Sequence, residues 1–307
     1  MKTSLASYLA SIPDGQAKSD GVKLGKAVAI KVVEIRANDG ADAPDDYRPR
    51  TTPGVYVPTP LTAASMWPSV KPWAMTSPSQ FRPVPPISLD SEEWAADFNE
   101  LKDYGGKASA KRSAQQTETA RFWLMVGPRA YHPFVRQLVT AKQMNVADSA
   151  RFMAMFAVAL TDAYIAVFEA KYHYNFWRPV TAIRNGDIDG NPATERDATW
   201  QPLDSTPMHP EYPCAHCILS GAAAAVIAST GGLGELREFS LTSPTLPSVT
   251  HRWSDLESFT AEVANARIWA GFHYRSSTRV GTAMGEEVGR YVAMHFAQPA
   301  KRTASTH

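Results

Sequence analysis

Proline divides this chain into a part that can be helical and a part that cannot. About half of its 23 prolines fall between Ala43 and Pro86, with Trp67, Trp73 and Phe81 scattered among them. Proline fixes φ and removes an amide donor, so this stretch is expected to run as an extended arm. Disordered linkers are poor in aromatic residues, so the tryptophans argue for an ordered arm wrapped on a helical body. Ahead of it, residues 1–39 read as two short helical segments, broken around Pro13-Asp14-Gly15 and closed by Asn38-Asp39-Gly40.

Beyond Leu89 the pattern changes. In "DSEEW", Asp90 or Ser91 is an N-cap followed by acidic residues in a first turn. Helix-length apolar patterns follow over 91–103, 112–125, 131–142, 146–177, 215–230, 255–274 and 278–297, with almost no period-two alternation. The expected fold is all-α, a helix bundle with a proline-rich N-terminal arm, divided into residues 1–90 (helical segments and arm) and 91–300 (catalytic bundle). The stretch from Asn185 to Tyr212, rich in Gly, Pro and Asp, is long for a connection and suggests a functional lid.

Charge excludes some functions. Lys and Arg total 31 against 30 Asp and Glu in 307 residues, so no excess charge draws the chain to nucleic acid or an anionic membrane, and any anion site must be local. Arg151, Asp162 and Glu169 interrupt the most hydrophobic stretch, which predicts no membrane insertion. The segment Leu5–Ile12 is a poor match to a secretory leader. Self-association is left open. Two cysteines exclude a disulfide framework and say nothing of redox compartment.

Three stretches could carry chemistry. In "KYHYNFWRP", Lys171 and Arg178 are seven residues apart, two turns of helix, so both cations would project from one face; Pro179 makes Arg178 a helix end. The alternative is a solvated basic stripe, which the surrounding Tyr172, Tyr174, Phe176 and Trp177 disfavour. In "HPEYPCAHCILSGAAAAVIAS", a helix start with free amides opens into a buried helix, an anion cradle in which His216 is placed to exchange a proton. A structural histidine is the alternative. Cys214 and Cys217 form a C-x-x-C that could serve redox or metal chemistry or be two small buried residues. In "ARIWAGFHYRSS", Arg267 and His273 would lie about 120° apart on an ideal helix and share a pocket only if the arginine reaches round or Gly271 loosens the turn. A surface arginine and a core histidine are the alternative there. "DIDGN" at 187–191 suggests a calcium loop, but Pro192 and Ala198 occupy the glycine and terminal-acid positions, so that pattern fails.

In order, Lys-x6-Arg-Pro, Pro-Cys-Ala-His and Arg-x5-His resemble the three-part signature of the superfamily joining type 2 phosphatidic acid phosphatases, bacterial acid phosphatases and vanadium-dependent haloperoxidases. "FRPVPP" and the helix running into "FEAKYHYNFWRPVTAIR" look more like its soluble bacterial haloperoxidase-like branch. The resemblance implies that Lys171, Arg178 and Arg267 hold the equatorial oxygens of vanadate or phosphate, with Cys214 and Ala215 in the cradle. It implies His216 as acid or base and His273 as axial group: the metal-ligand nitrogen on vanadium or a nucleophile toward phosphorus. It also implies a periplasmic or secreted location.

Three departures stand out: Cys214 replaces the family's serine, Ala215 its glycine, and Ser277 the aspartate four residues after the histidine. Without that carboxylate another acceptor must fix the tautomer of His273. Asp162 is a candidate buried partner for one of the arginines. The leading functional expectation is a vanadium-dependent haloperoxidase-like enzyme, vanadate-bound peroxide oxidising halide, with hydrogen peroxide and halide as partners. The missing carboxylate would harm a nucleophile more than a metal ligand. An acid phosphatase acting on a small phosphate ester is the runner-up, and a degenerate oxyanion-binding module the third reading.

Overall fold

The computed structural model describes residues 2–58, 61–125, 127–234 and 236–296. The chain divides between Asp42 and Ala43 into two units. The first holds helices α1 (Lys2–Ala10) and α2 (Gln16–Arg36), separated by a turn in which Asp14 pairs with Lys18 at 2.7 Å. No residue of α2 is buried, and Leu24, Ile30 and Val33 are among its exposed apolar side chains.

In the second unit, the described residues of 43–91 contain no helix beyond one 3-10 turn at Trp67–Ser69. This segment is tied to the bundle by polar contacts. Asp162, fully buried, accepts hydrogen bonds from the amides of Trp73, Ala74 and Met75 at 2.7, 2.8 and 3.0 Å. Arg82 Nε donates to both oxygens of Glu169 at 3.1 and 3.0 Å. Asp162 is therefore not the counter-ion of a site arginine: three backbone N–H groups, orphaned because this segment has no ladder of its own, take its lone pairs.

Helices follow as α3 (Glu92–Gly105), α4 (Ala114–Phe122), α5 (His132–Ala141), α6 (Val146–Tyr174), α7 (Pro179–Arg184), α8 (Ala215–Ser229), α9 (Leu256–Trp269) and α10 (Arg275–His295). Three of these starts are capped as follows: Ser91 accepts from Trp94 N, Ser113 and Gln116 form a capping box, and Asn145 accepts from Asp148 N. Between α8 and α9 the chain forms an antiparallel hairpin, β1 (Phe239–Ser243) and β2 (Leu246–Trp253), which the sequence pattern left unassigned. Phe239, Leu241 and Trp253 turn inward from it against Phe134 and Phe259.

Helix α6 is long and apolar enough to cross a membrane by length and composition, but 72% of that window is buried inside the protein. It is the core helix, with Phe156, Ala159, Ala163, Ala166 and Ala170 inaccessible among the side chains of α8 and α10. The closest helix pair is α8 with α10. Gly281, Gly285 and Gly289 recur every four residues on α10, and each faces a carbonyl of α8. A Cβ at 281 would stand 2.6 Å from Cys214 O and one at 289 2.6 Å from Ala222 O; one at 285 would collide with Ile218 O. These glycines let two backbones touch, which sets how near the start of α8 lies to the start of α10.

Gly285→Ala adds one methyl group where backbone already stands. The variant is expected to lose about 2 kcal/mol or more of stability in urea unfolding, within the overpacking range. Unfolding midpoints equal to wild type would show that the seam is not close-packed.

Candidate oxyanion site

Helix ends, not helix faces, deliver the functional side chains. Helix α6 stops at Tyr174 because Asn175 takes a left-handed conformation (φ 52°) and returns its N–H to Lys171 O at 2.7 Å. Arg178 lies beyond this stop as the extended N-cap residue of α7, with Pro179 at the first helical position. The expected single helix carrying Lys171 and Arg178 on one stripe is thus replaced by a helix, a turn and a second helix.

Arg267 lies in the last turn of α9. There Gly271 (φ 80°), with Gly271 N–H to Ile268 O at 2.9 Å and Phe272 N–H to Arg267 O at 3.1 Å, forms a Schellman stop that sends His273 back toward the arginine. The helix expected to run to 274 ends at Trp269, so the 120° separation does not apply.

Lys171, Arg178, Arg267 and His273 are all buried, at 0, 1, 2 and 1% exposure. Lys171 Nζ donates to Pro210 O at 2.9 Å and Glu211 O at 2.6 Å. Arg178 donates to His209 O (2.7 Å), to Phe272 O (3.1 Å) and to His209 Nδ1 (2.9 Å), and its Nη1 lies 3.5 Å from His273 Nε2. Arg267 donates from Nη1 to Trp123 O at 2.7 Å and sits 4.8 Å over the Phe272 ring, while its buried Nε has no partner among the described residues. An orphaned guanidinium N–H in a buried site is the mark of a missing acceptor.

His216, in the first turn of α8, donates from Nε2 to Met125 O at 2.8 Å, which leaves Nδ1 unprotonated. The first-turn amides beside it have no preceding turn to bond to. Cys214 is the N-cap: its Sγ accepts from Cys217 N–H at 3.3 Å, and both thiols are free and buried. Among the described residues no group of three His, Cys, Asp or Glu could hold a metal cation.

A cavity of about 270 Å³ is lined by Arg267, His216, His273, Ala215 and His209, closed by Tyr164, Leu124 and Phe272. Lys171, Arg178 and Cys214 are not among its lining residues. Asp204, Ser205 and Pro207, from the segment 185–212, line it too and are shared with an open groove of about 810 Å³.

Sequence reasoning missed Glu211 and His209. Glu211, fully buried, accepts through Oε1 from His273 Nδ1 at 2.7 Å and from Tyr274 N–H at 3.1 Å. It supplies the carboxylate whose absence at Ser277 weighed against a nucleophilic His273. Its signal was a lone acid among the prolines and aromatics of "HPEYP", two residues before the Pro213 that opens Pro-Cys-Ala-His.

Burial governs the electrostatics. Burial, reinforced by Arg178, holds Lys171 well below the ordinary lysine range, and burial brings Arg178 down to about 10 against the pull of Glu211. Burial pushes the Glu211 carboxyl up to about 8, opposed by Lys171 and Arg178. His209, His216 and His273 are all held well below the usual imidazole range, first by burial and then by the nearby cations. Against burial, which raises it, the Cys217 thiol and Arg267 bring Cys214 down to about 7.

Residues 151–302 match the family model described as the VCPO second helical-bundle domain. The vanadium chloroperoxidase of Curvularia inaequalis is 34% identical over 140 aligned residues, covering 37% of this chain and 22% of that protein. The chain thus spans well under two thirds of that curated relative. In fold the chain is similar to the first bacterial vanadium-dependent iodoperoxidase, with a TM-score of 0.75 and 26% identity, covering 91% of this chain and 69% of that one. An apo-type bacterial vanadium-dependent chloroperoxidase superposes with a TM-score of 0.68 at 17% identity, over 88% of this chain and 73% of its own.

The histidine shifts set a pH dependence. The three folded-state values lie below the unfolded value of about 6.5, so their contribution to stability is full above that pH and is lost as pH falls, at about 1.4 kcal/mol per unit each. Glu211 is raised in the fold, so it gains stability on acidification and offsets one of the three. Anion-free protein is expected to lose stability in urea unfolding as pH falls below about 6.5, the slope approaching about 2.7 kcal/mol per unit once the unfolded imidazoles are protonated, about one unit lower. A flat profile from pH 7 to 5.5 would show that the histidines are not held neutral.

Proposed function

We propose that this chain, which belongs to the superfamily joining the vanadium-dependent haloperoxidases with the type 2 phosphatidic acid phosphatases, is a vanadium-dependent haloperoxidase-like enzyme using hydrogen peroxide to oxidise halide. The observation that carries the reading is three buried cations, from two separate stretches of chain, gathered around a histidine nitrogen left without a proton. Their charge exceeds that of Glu211, the buried carboxyl beside them, and asks for an anion, and the Arg267 Nε that has no partner among the described residues marks where one of its oxygens would accept.

Vanadate suits this donor set: Lys171, Arg178 and Arg267 would hold its oxygens, and His273 Nε2 would be its nitrogen ligand. When bound, it supplies the Lewis acidity that makes peroxide an oxidant of halide. The chain's own residues do the rest. The guanidinium groups hold the oxygens. His216 Nδ1, unprotonated because Nε2 is tied to Met125 O, would accept and hold a proton of hydrogen peroxide. Tyr164, Leu124 and Phe272 limit water, while halide and peroxide enter past Ser205 and Pro207.

A second reading, a phosphomonoesterase with His273 as nucleophile, is favoured by Glu211, which provides the carboxylate a nucleophilic histidine needs. The two are separated on one preparation. Protein incubated with orthovanadate is expected to brominate or iodinate a phenolic dye with hydrogen peroxide, to lose that activity after removal of vanadate, and to recover it on re-addition. His273→Ala should lower it at least 100-fold and release the vanadium. Hydrolysis of an aryl phosphate inhibited by vanadate, with no halide oxidation by the loaded protein, would replace the haloperoxidase reading by the phosphatase one.

A further inference from the structure

We infer that Glu211 is the positioning residue of the site: it fixes His273 in the Nδ1–H tautomer and thereby presents Nε2 as the lone pair that an oxyanion centre takes. The inference rests on the oxyanion reading of the cavity and is indifferent to which reaction runs there. It stands on geometry. Oε1 accepts two N–H bonds, from His273 Nδ1 at 2.7 Å and from the next residue's amide at 3.1 Å, so it is an acceptor and the imidazole proton lies on Nδ1. The ionised carboxylate has no proton to give, so Nδ1 carries the imidazole proton and Nε2 is bare. On its other edge Nε2 stands 3.5 Å from a guanidinium nitrogen of Arg178, a group with no lone pair to accept a proton from it. The Nε2–H tautomer would confront a cation. The opposite tautomer confronts a carboxylate.

Ser277 explains why the carboxylate can come from position 211. The buried Ser277 hydroxyl lies beside the Glu211 carboxyl and draws it down. It lies one turn beyond His273, in the first turn of α10. An acid placed there would enter from the helix the space that Glu211 fills from the preceding loop. Two positions therefore compete for one site of negative charge, and this chain fills it from 211. The backbone of the same residue accepts from Lys171 Nζ at 2.6 Å, so Glu211 orders a cation with its carbonyl and the axial nitrogen with its side chain.

The test uses full-length protein free of vanadate, with 15N-labelled histidine, and then orthovanadate as the probe. The wild-type spectrum is expected to show His273 with a protonated Nδ1 and an unprotonated Nε2; an Nε2–H signal there overturns the inference by itself. Glu211→Ala is expected to move His273 to the other tautomer and weaken orthovanadate binding at least 30-fold by calorimetry. Glu211→Gln keeps the acceptor oxygen and should keep the tautomer. The double variant Glu211→Ala/Ser277→Asp should restore it and bring vanadate affinity within about fivefold of wild type. Glu211→Ala with unchanged tautomer and affinity within threefold of wild type would overturn the assignment, as would loss of the tautomer in Glu211→Gln. A wild-type protein with the expected tautomer and no vanadate affinity would instead sink the oxyanion reading and leave the Glu211–His273 pairing standing.

Discussion

Three cations without access to water are the condition that the rest of this molecule has to satisfy. Removing one such charge from solvent costs several kcal/mol even after the protein relaxes. Lys171, Arg178 and Arg267 are nevertheless buried within interacting distance of one another, with Glu211 as the one acid among them. Carbonyl oxygens meet part of the demand: those of Pro210 and Glu211 for the lysine, His209 and Phe272 for Arg178, Trp123 for Arg267. Dipoles lower the cost without cancelling the charge. The site remains a positive well whose ground state is completed by an anion, which is why an oxyanion reading follows from the electrostatics before any reaction is considered.

Bringing the charges together depends on places where helices stop. Asn175, Gly271 and the Cys214 N-cap each end or begin a helix within a few residues of a functional side chain. A side chain in mid-helix is confined to its own stripe, whereas one beside a reversal can be aimed across the chain's new direction. The glycine seam of α10 against α8 then holds the starts of those two helices at backbone contact, placing the first turn of α8, with His216, beside the turn that carries His273. Precision of the site is thus bought by backbone packing remote from the cavity.

The sequence made the helices legible because a buried helix repeats its apolar residues over many turns, as α6, α8 and α10 do. It made Lys171, Arg178, Ala215, His216, Arg267 and His273 legible because they stand in order at motif spacing, and the structure brings all six to one region. It failed at reversals. Nothing in the periodicity of "KYHYNFWRP" distinguishes a helix through Tyr174 from one through Trp177, since the break comes from one residue's left-handed φ. The hairpin from Phe239 to Trp253 was missed because only five residues of β1 alternate between core and surface. Asp162 was misread because its three partners are backbone amides, which leave no trace in side-chain identity.

Glu211 shows where motif reading stops being chemistry. A motif records that an acid stood four residues after the histidine; the physical requirement is that some acceptor meet Nδ1 from the side opposite the cations. That requirement has a location in space and none in sequence. In this chain it is met from the end of the long segment 185–212, the same segment whose Asp204, Ser205, Pro207 and His209 form part of the cavity wall. One connection therefore supplies wall, carbonyl ligands for two cations and the carboxylate, and its length has a reason: it must pass from the rim of the cavity to the floor behind His273. The substitution at Ser277 is then no defect of the site, because its charge has moved across the gap from helix to loop while the histidine it serves has kept its place.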